Sequence, residues 1–203
     1  MTTSTRGRLI EAVLETLRAE GFTGTSARTI AARAGVNPGL IFYYFPSLDE
    51  LLLAALEESS EARLERFRAA ADEVRSPREL LELLRHIYRE DLDSGYIRVV
   101  SEMVSGSVAR PEMGQRVMGL MDPWIALAEQ AIERVLAGSP VSGLVSAREL
   151  AFAGVTFYLG ANLVVHLGAD PEAVDGLLST AERGAALLEL LQQGAPPSPE
   201  ARP

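Results

Sequence analysis

The sequence predicts an all-α chain of about nine helices, three short ones followed by six longer ones. Three observations carry that reading. Valine and isoleucine are scattered, with no sustained period-two alternation, so no sheet is expected. Apolar residues instead recur at helical spacing, as Leu9, Ile10, Val13, Leu14 and Leu17 do. Most such segments open at Ser, Asn or Pro and stop near Gly, the residues that start and end helices.

Taken in order, Ser4 or Thr5 caps a first helix to about Glu20, and Gly21 stops it. Ser26 caps a second helix to Ala34, stopped by Gly35. Asn37 caps a third with Pro38 at its first position, where a missing N–H costs nothing, and this helix runs to about Phe45. Pro46-Ser47 opens a long fourth helix to about Arg75, and Pro77 a fifth to about Asp91. A sixth follows Gly95 to about Ser105. Pro111 opens a seventh, which Pro123 breaks or kinks and which ends near Ala137. Ser146 caps an eighth to about Leu167, and Pro171 opens a ninth to about Gln193. Four prolines in the tail predict disorder there. The expected organisation is a three-helix unit at 1–47, a helical unit at 48–193 and a tail at 194–203.

Composition excludes several classes. At 203 residues and 47% hydrophobic, the chain buries a real core. No apolar run approaches the roughly 18 residues of a membrane span, and the polar start predicts no signal peptide. No membrane partner and a cytoplasmic location are expected. The chain has no cysteine, only His86 and His166 as histidines, no Gly-rich phosphate loop and no ligands at metal spacing. No catalytic residues, no cofactor and no metal are expected, so an enzyme is the least supported alternative. The formal charge is −9, but residues 1–47 carry five arginines against three acids and the remainder fourteen against twenty-five. A mildly basic head on an acidic body presents one end to a polyanion.

The second and third helices, joined by Ala34-Gly35-Val36-Asn37, form a helix-turn-helix arrangement, two short helices across a tight glycine turn. Ile30, Ala31, Ala34, Val36 and Ile41 fall where these helices must pack on each other and on the first. Asn37-Pro38-Gly39 gives the third helix a slim first turn that can approach another surface closely. Phe42-Tyr43-Tyr44-Phe45 ends it, and four consecutive aromatics cannot all face one core. An outward tyrosine pair offers ring faces to thymine methyls and hydroxyls to phosphates.

The stretch Gly21-Phe22-Thr23-Gly24-Thr25-Ser26-Ala27-Arg28-Thr29-Ile30-Ala31, then Ala34-Gly35-Val36, then Phe42-Tyr43-Tyr44-Phe45-Pro46-Ser47, resembles the DNA-binding domain of the TetR family of transcriptional regulators, over about residues 6–55. The resemblance implies a homodimer on a palindromic double-stranded DNA operator, most simply a repressor released by a small-molecule effector. It implies that Thr25 and Ser26 meet a phosphate at the start of the second helix, and that Arg28 reaches a phosphate or base edge. It places Asn37, Pro38, Gly39 and Tyr43 toward the major groove and Tyr44 toward the DNA backbone. Phe42, Leu40 and Leu48 depart from the family's usual tyrosine, Ser or Thr, and lysine, each losing a polar backbone contact. A helical ligand-binding adaptor without DNA binding is the alternative these departures keep open.

In the body, the eighth helix is apolar nearly all round and needs cover on both faces. A dimer seam is expected through Gly154, Phe157, Ala161 and Val165 on that helix and Leu177, Ala181, Gly184 and Leu188 on the ninth. Helices four to seven are expected to enclose a largely apolar effector among Phe67, His86, Tyr88, Tyr96, Met103, Met118, Met121 and Trp124. Asn162 and His166 are expected to face the pocket or the seam. The fourth helix, about 26 residues and so about 39 Å long, is expected to carry the signal from pocket to head.

Overall fold

A computed structural model of the chain describes residues 4–137 and 142–193, with side chains to Leu187. The tail from Gly194, part of the loop between the expected seventh and eighth helices, and the Leu188 side chain lie outside the described residues. Among the described residues every regular element is a helix: α1 (Thr5–Gly24), α2 (Ala27–Ala34), α3 (Gly39–Tyr44), α4 (Leu48–Glu73), α5 (Pro77–Asp93), α6 (Tyr96–Ser107), α7 (Pro111–Gly119), α8 (Asp122–Leu136), α9 (Ala147–His166) and α10 (Pro171–Gln193).

The caps act where the sequence puts them. Ser4, Ser26, Ser47, Ser76 and Ser146 each accept an amide of the first turn of the helix that follows. Gly21 sits at φ 70°, ψ −178°, a conformation essentially reserved for glycine, and interrupts α1 just past its expected end. The expected seventh helix is two helices, α7 and α8. Pro123, in the first turn of α8, has no N–H to give and its ring would collide with the Gly119 carbonyl, so α7 ends at Gly119.

Leu9, Val13, Leu17, Ile30, Ile41 and Leu51 are wholly buried at the centre of the head. The same core continues into α4 through Leu52 to Leu56 and takes in Val99, Val100 and Met103 of α6. The boundary at residue 47 therefore marks chain order and not a break in packing. Behind it, α5, α6, α9 and α10 share one apolar cluster around Tyr88, Ile97, Ala161, Val174 and Leu178. α8 and α9 share another, around Met121, Ile125, Ile132 and Ala151.

By length and composition α9 is apolar enough to cross a membrane, contrary to the sequence expectation, yet only 17% of its most apolar window is buried within the chain. Gly154, Thr156, Gly160 and Asn162 interrupt the apolar run without lowering its average much, which is why no continuous stretch stands out in the sequence.

Candidate DNA interface and effector cavity

The reading end is built by three local devices. Ser26 and Thr29 form a reciprocal cap on α2: the Thr29 amide donates to Ser26 Oγ at 3.1 Å, and the Ser26 amide donates to Thr29 Oγ1 at 2.9 Å. Gly35 takes φ 65° and turns the chain between the helices. Asn37 Oδ1 accepts the Gly39 amide at 2.9 Å and holds the first turn of α3 although Pro38 is the residue flanking it.

Ile41 and Phe45 pin α3 to the core, while Phe42 (56% exposed), Tyr43 (78%) and Tyr44 (39%) turn outward. The Tyr43 and Tyr44 rings meet edge to face, centroids 5.0 Å apart, which fixes the pair as a unit. Asn37, Pro38 and Gly39 are exposed, as is Arg28, which has no ion-pair partner among the described residues. Thr25 is half-buried and spends its proton on the Gly21 carbonyl at 2.7 Å; Ser26 is half-buried in its cap. The Thr25 oxygen therefore keeps acceptor capacity only, so phosphate contact at this corner falls to the open first-turn amides of α2 and the Ser26 hydroxyl. Leu48 packs against the head core, so a lysine there would cost apolar contact as well as add charge.

In the body, α4, α5, α6, α8 and α9 surround a cavity of about 590 Å³, within the roughly 300–1,000 Å³ of small-molecule sites. Its walls are mostly aliphatic, among them Leu84, Ile87, Leu127, Ile132, Val135 and Leu150. Polar groups gather at the side nearer the head. Arg63 and Asp91, 6% and 1% exposed, form an ion pair, and the Tyr158 hydroxyl donates to Asp91 Oδ2. The Arg63 guanidinium lies 4.3 Å from the centre of the Tyr96 ring. Burial lowers the Arg63 pKa, opposed by the neighbouring Tyr158 and Tyr96. Burial also pushes the Tyr158 hydroxyl up, against a pull down from Asn162 one turn along. Trp124 Nε1 donates to Ser60 Oγ at 2.8 Å, tying α8 to α4 across the cavity wall.

Of the residues expected in the pocket, Tyr96, Met121 and Trp124 line this cavity. The other five are placed elsewhere. Phe67 is buried behind Trp124, ring centroids 6.5 Å apart, and His86 stands exposed beyond Phe67, exchanging an edge contact at 5.9 Å. Tyr88 packs toward α9 and α10, and Met103 toward the head. Met118 is exposed beside a surface recess with Phe152. Residues here were expected by chemical type; which face of each helix turns inward is set by packing. The buried Arg63–Asp91 pair has no signature in the sequence, because its members lie 28 residues apart among many surface arginines and acids.

The expected dimer residues divide. Gly154 lines the cavity, and Phe157, Ala161 and Val165 pack within the chain against α5, α6 and α10. Leu177, Ala181 and Gly184 are exposed along one face of α10. The uncovered face of α9 is instead that of Phe152, Gly160, Leu163, Val164 and Leu167. Asn162 is buried beside Tyr158. His166 Nε2 lies 3.3 Å from Glu102 Oε1 of α6, whose Oε2 accepts the Phe22 amide at 2.7 Å. α6 is thus stitched to the head at the Gly21 break, a link the sequence did not suggest. Arg110 and Arg116 of α7 pair with Asp49 and Glu50 at the start of α4, adding a second.

Two short helices across a left-handed glycine, with exposed aromatics on the second, define a DNA-binding helix-turn-helix protein. Residues 9–55 match the family model described as bacterial regulatory proteins, tetR family. The chain is 31% identical over 126 residues to the HTH-type transcriptional regulator BetI 1 of Chromohalobacter salexigens, covering 59% of this chain and 60% of that protein. It is 42% identical over 65 residues to the HTH-type transcriptional regulator CymR of Pseudomonas putida, 32% of each chain. Both matches thus span less than two thirds of the relative's own length. The transcriptional regulator FadR of Bacillus subtilis, solved in complex with stearoyl-CoA, superimposes with a TM-score of 0.68 at 16% identity, over 93% of this chain and 98% of that one. Residues 9–55 thus resemble the DNA-binding domain of the TetR family, and the comparisons support a transcriptional regulator of that type.

Proposed function

We propose that this regulator is a homodimeric repressor that binds a palindromic operator and leaves it when a small, largely apolar effector fills the cavity of the body. The observation that carries the reading is the position of that cavity. Tyr96 forms part of its wall, and the same helix, α6, buries Val99 and Met103 in the head and accepts the Phe22 amide through Glu102. α4 connects the two ends as well, with Ser60 and Arg63 at the cavity and Leu51 to Leu56 in the head core. An effector that spreads this wall moves the reading helices with it, to the extent that it prefers the moved shape.

The DNA contacts proposed are Arg28 and the α2 start at Thr25 and Ser26 on phosphates, Asn37, Pro38, Gly39 and Tyr43 in the major groove, and Tyr44 at the backbone. The dimer proposed is formed by the uncovered faces of α9 and α10, whose exposed apolar side chains include Phe152, Leu163, Leu167, Leu177 and Leu187. That FadR was solved with an acyl-CoA supports a cavity ligand of apolar character.

Selection of binders from a random DNA duplex library with the full chain is expected to return a two-fold symmetric site, half-sites about 34–36 Å apart. Light scattering is expected to give about twice the 21.9 kDa chain mass, and Gly184→Arg on the exposed α10 face to halve it. Selection of asymmetric sites, or a monomer at micromolar concentration, overturns the proposal.

A further inference from the structure

The joint between α6 and the head combines two kinds of contact. Leu9, Val13 and Leu17 of α1 share one apolar core with Val99 and Met103 of α6. Apolar contact is non-directional, so it holds the head on the body without fixing how the head is turned. The bond from the Phe22 amide to Glu102 Oε2, 2.7 Å long, is directional.

That bond is made at the place where it governs α2. Phe22 follows the Gly21 break, so the turn from Gly21 to Thr25 no longer continues the axis of α1. The turn is bonded to itself and to α2: the Thr25 hydroxyl donates to the Gly21 carbonyl at 2.7 Å, and the Thr29 hydroxyl to the Gly24 carbonyl at 3.2 Å. α6 grips the same turn through the Phe22 ring. The ring lies against Gly106, where an added methyl would collide with it. Arg110 stands 5.1 Å from its centre. The other oxygen of Glu102 faces α9, with His166 Nε2 3.3 Å away. His166 is the last residue of α9, beside the uncovered Leu163 and Leu167.

Resting on the homodimer and two-fold operator proposed above, the geometry points to Glu102 as the positioning residue of the reading head, held in turn by His166. A line of contacts runs from the dimer face at the end of α9 through His166, Glu102 and the Phe22 amide to the start of α2. It fixes how each head is turned relative to the seam, and so the half-site spacing the dimer accepts.

The test uses the site selected by the full chain and the same site with one base pair added at its centre, which moves the half-sites by about 3.4 Å and turns them by about 34°. The ratio of the two affinities, read by fluorescence anisotropy at one salt concentration, measures spacing discrimination. Glu102→Ala is expected to lower this ratio about tenfold, the scale of one hydrogen bond to a charged group. Glu102→Gln keeps an acceptor for the Phe22 amide and is expected to keep the ratio. His166→Leu is expected to lower it about threefold in the unaltered chain and not at all in Glu102→Ala, because both act through one contact. A carboxylate that only stabilised the fold would lower the unfolding midpoint and weaken both operators equally. That result in folded Glu102→Ala overturns the inference and leaves the dimer and operator standing. Loss of the ratio in Glu102→Gln as complete as in Glu102→Ala overturns it, as do effects of His166 and Glu102 that simply add. If Glu102→Ala does not fold, His166→Leu, at a position 27% exposed, decides: an unchanged ratio overturns the inference. If the unaltered chain selects no two-fold site, the proposed function falls and this inference with it.

Discussion

The head and the body are made of the same kind of helix, yet they leave different things open. In the head, Leu9, Leu17, Ile30, Ile41 and Leu51 pack without exposure, and the chemistry stands outside on Arg28, Asn37, Tyr43 and Tyr44. In the body, five helices stand off from one another around about 590 Å³, and the chemistry is inside, at Arg63, Asp91 and Tyr158. A template for DNA must hold its shape, so its core is filled and its polar groups face out. A site for a small molecule must exclude water around it, so its polar groups are few, buried and paired. The difference predicts where substitution costs stability and where it costs binding.

The largest expected loss is in the body. Arg63→Ala leaves Asp91 as a buried charge without its partner, and thermal denaturation is expected to show a loss of about 3–5 kcal/mol. A smaller or absent loss would mean that water reaches the pair. In the head, Ile41→Ala opens a cavity under the recognition helix, at an expected cost of about 2–5 kcal/mol by the same measurement. Leu81→Ala, at the already hollow wall of the body, is expected to cost clearly less than Ile41→Ala. If the two cost the same, the contrast between a filled head and a hollow body fails. At the junction, Gly21→Ala forces a side chain into a glycine conformation 2.9 Å from the Glu102 carboxylate, at about 1–3 kcal/mol. It is expected to weaken operator binding as well, since Glu102 then loses the Phe22 amide.

At the surface the order reverses, with binding changed and stability kept. Tyr43→Ala is expected to leave the unfolding midpoint within error and to weaken specific DNA binding by about 1–3 kcal/mol. Unaltered binding would move the reading surface away from the exposed end of α3. Arg28→Ala is the mildest, expected to lower the slope of log affinity against log salt by about one; an unchanged slope removes Arg28 from the phosphate contacts.

Much of this was legible in the chain because the signals are local. Ser26, Gly35 and Asn37 act within a turn of where they stand, so the second and third helices and the turn between them could be placed from residue type alone. The outward aromatics followed from crowding, four rings in a row on one short helix. Gly21 and Pro123 likewise announced their breaks, since each restricts its own backbone. The matched family model covers this same stretch, residues 9–55.

The body was less legible, and for a physical reason. Its helices are apolar on more than one side, so sequence periodicity names the helix without saying which face meets the cavity, the neighbouring helix or a second subunit. Tyr88 and Phe67 have the residue types of a pocket and pack elsewhere, while Gly154 has that of a helix contact and lines the cavity. The Arg63–Asp91 pair and the Phe22–Glu102–His166 chain join residues 28 to 80 positions apart. No local rule brings such groups together. The sequence by itself determined the helices, their caps and the reading motif, because backbone conformation is decided within a few residues. Only the tertiary structure decided the cavity, its neutral polar end and the stitch to the head, because burial and charge pairing depend on which distant surfaces meet.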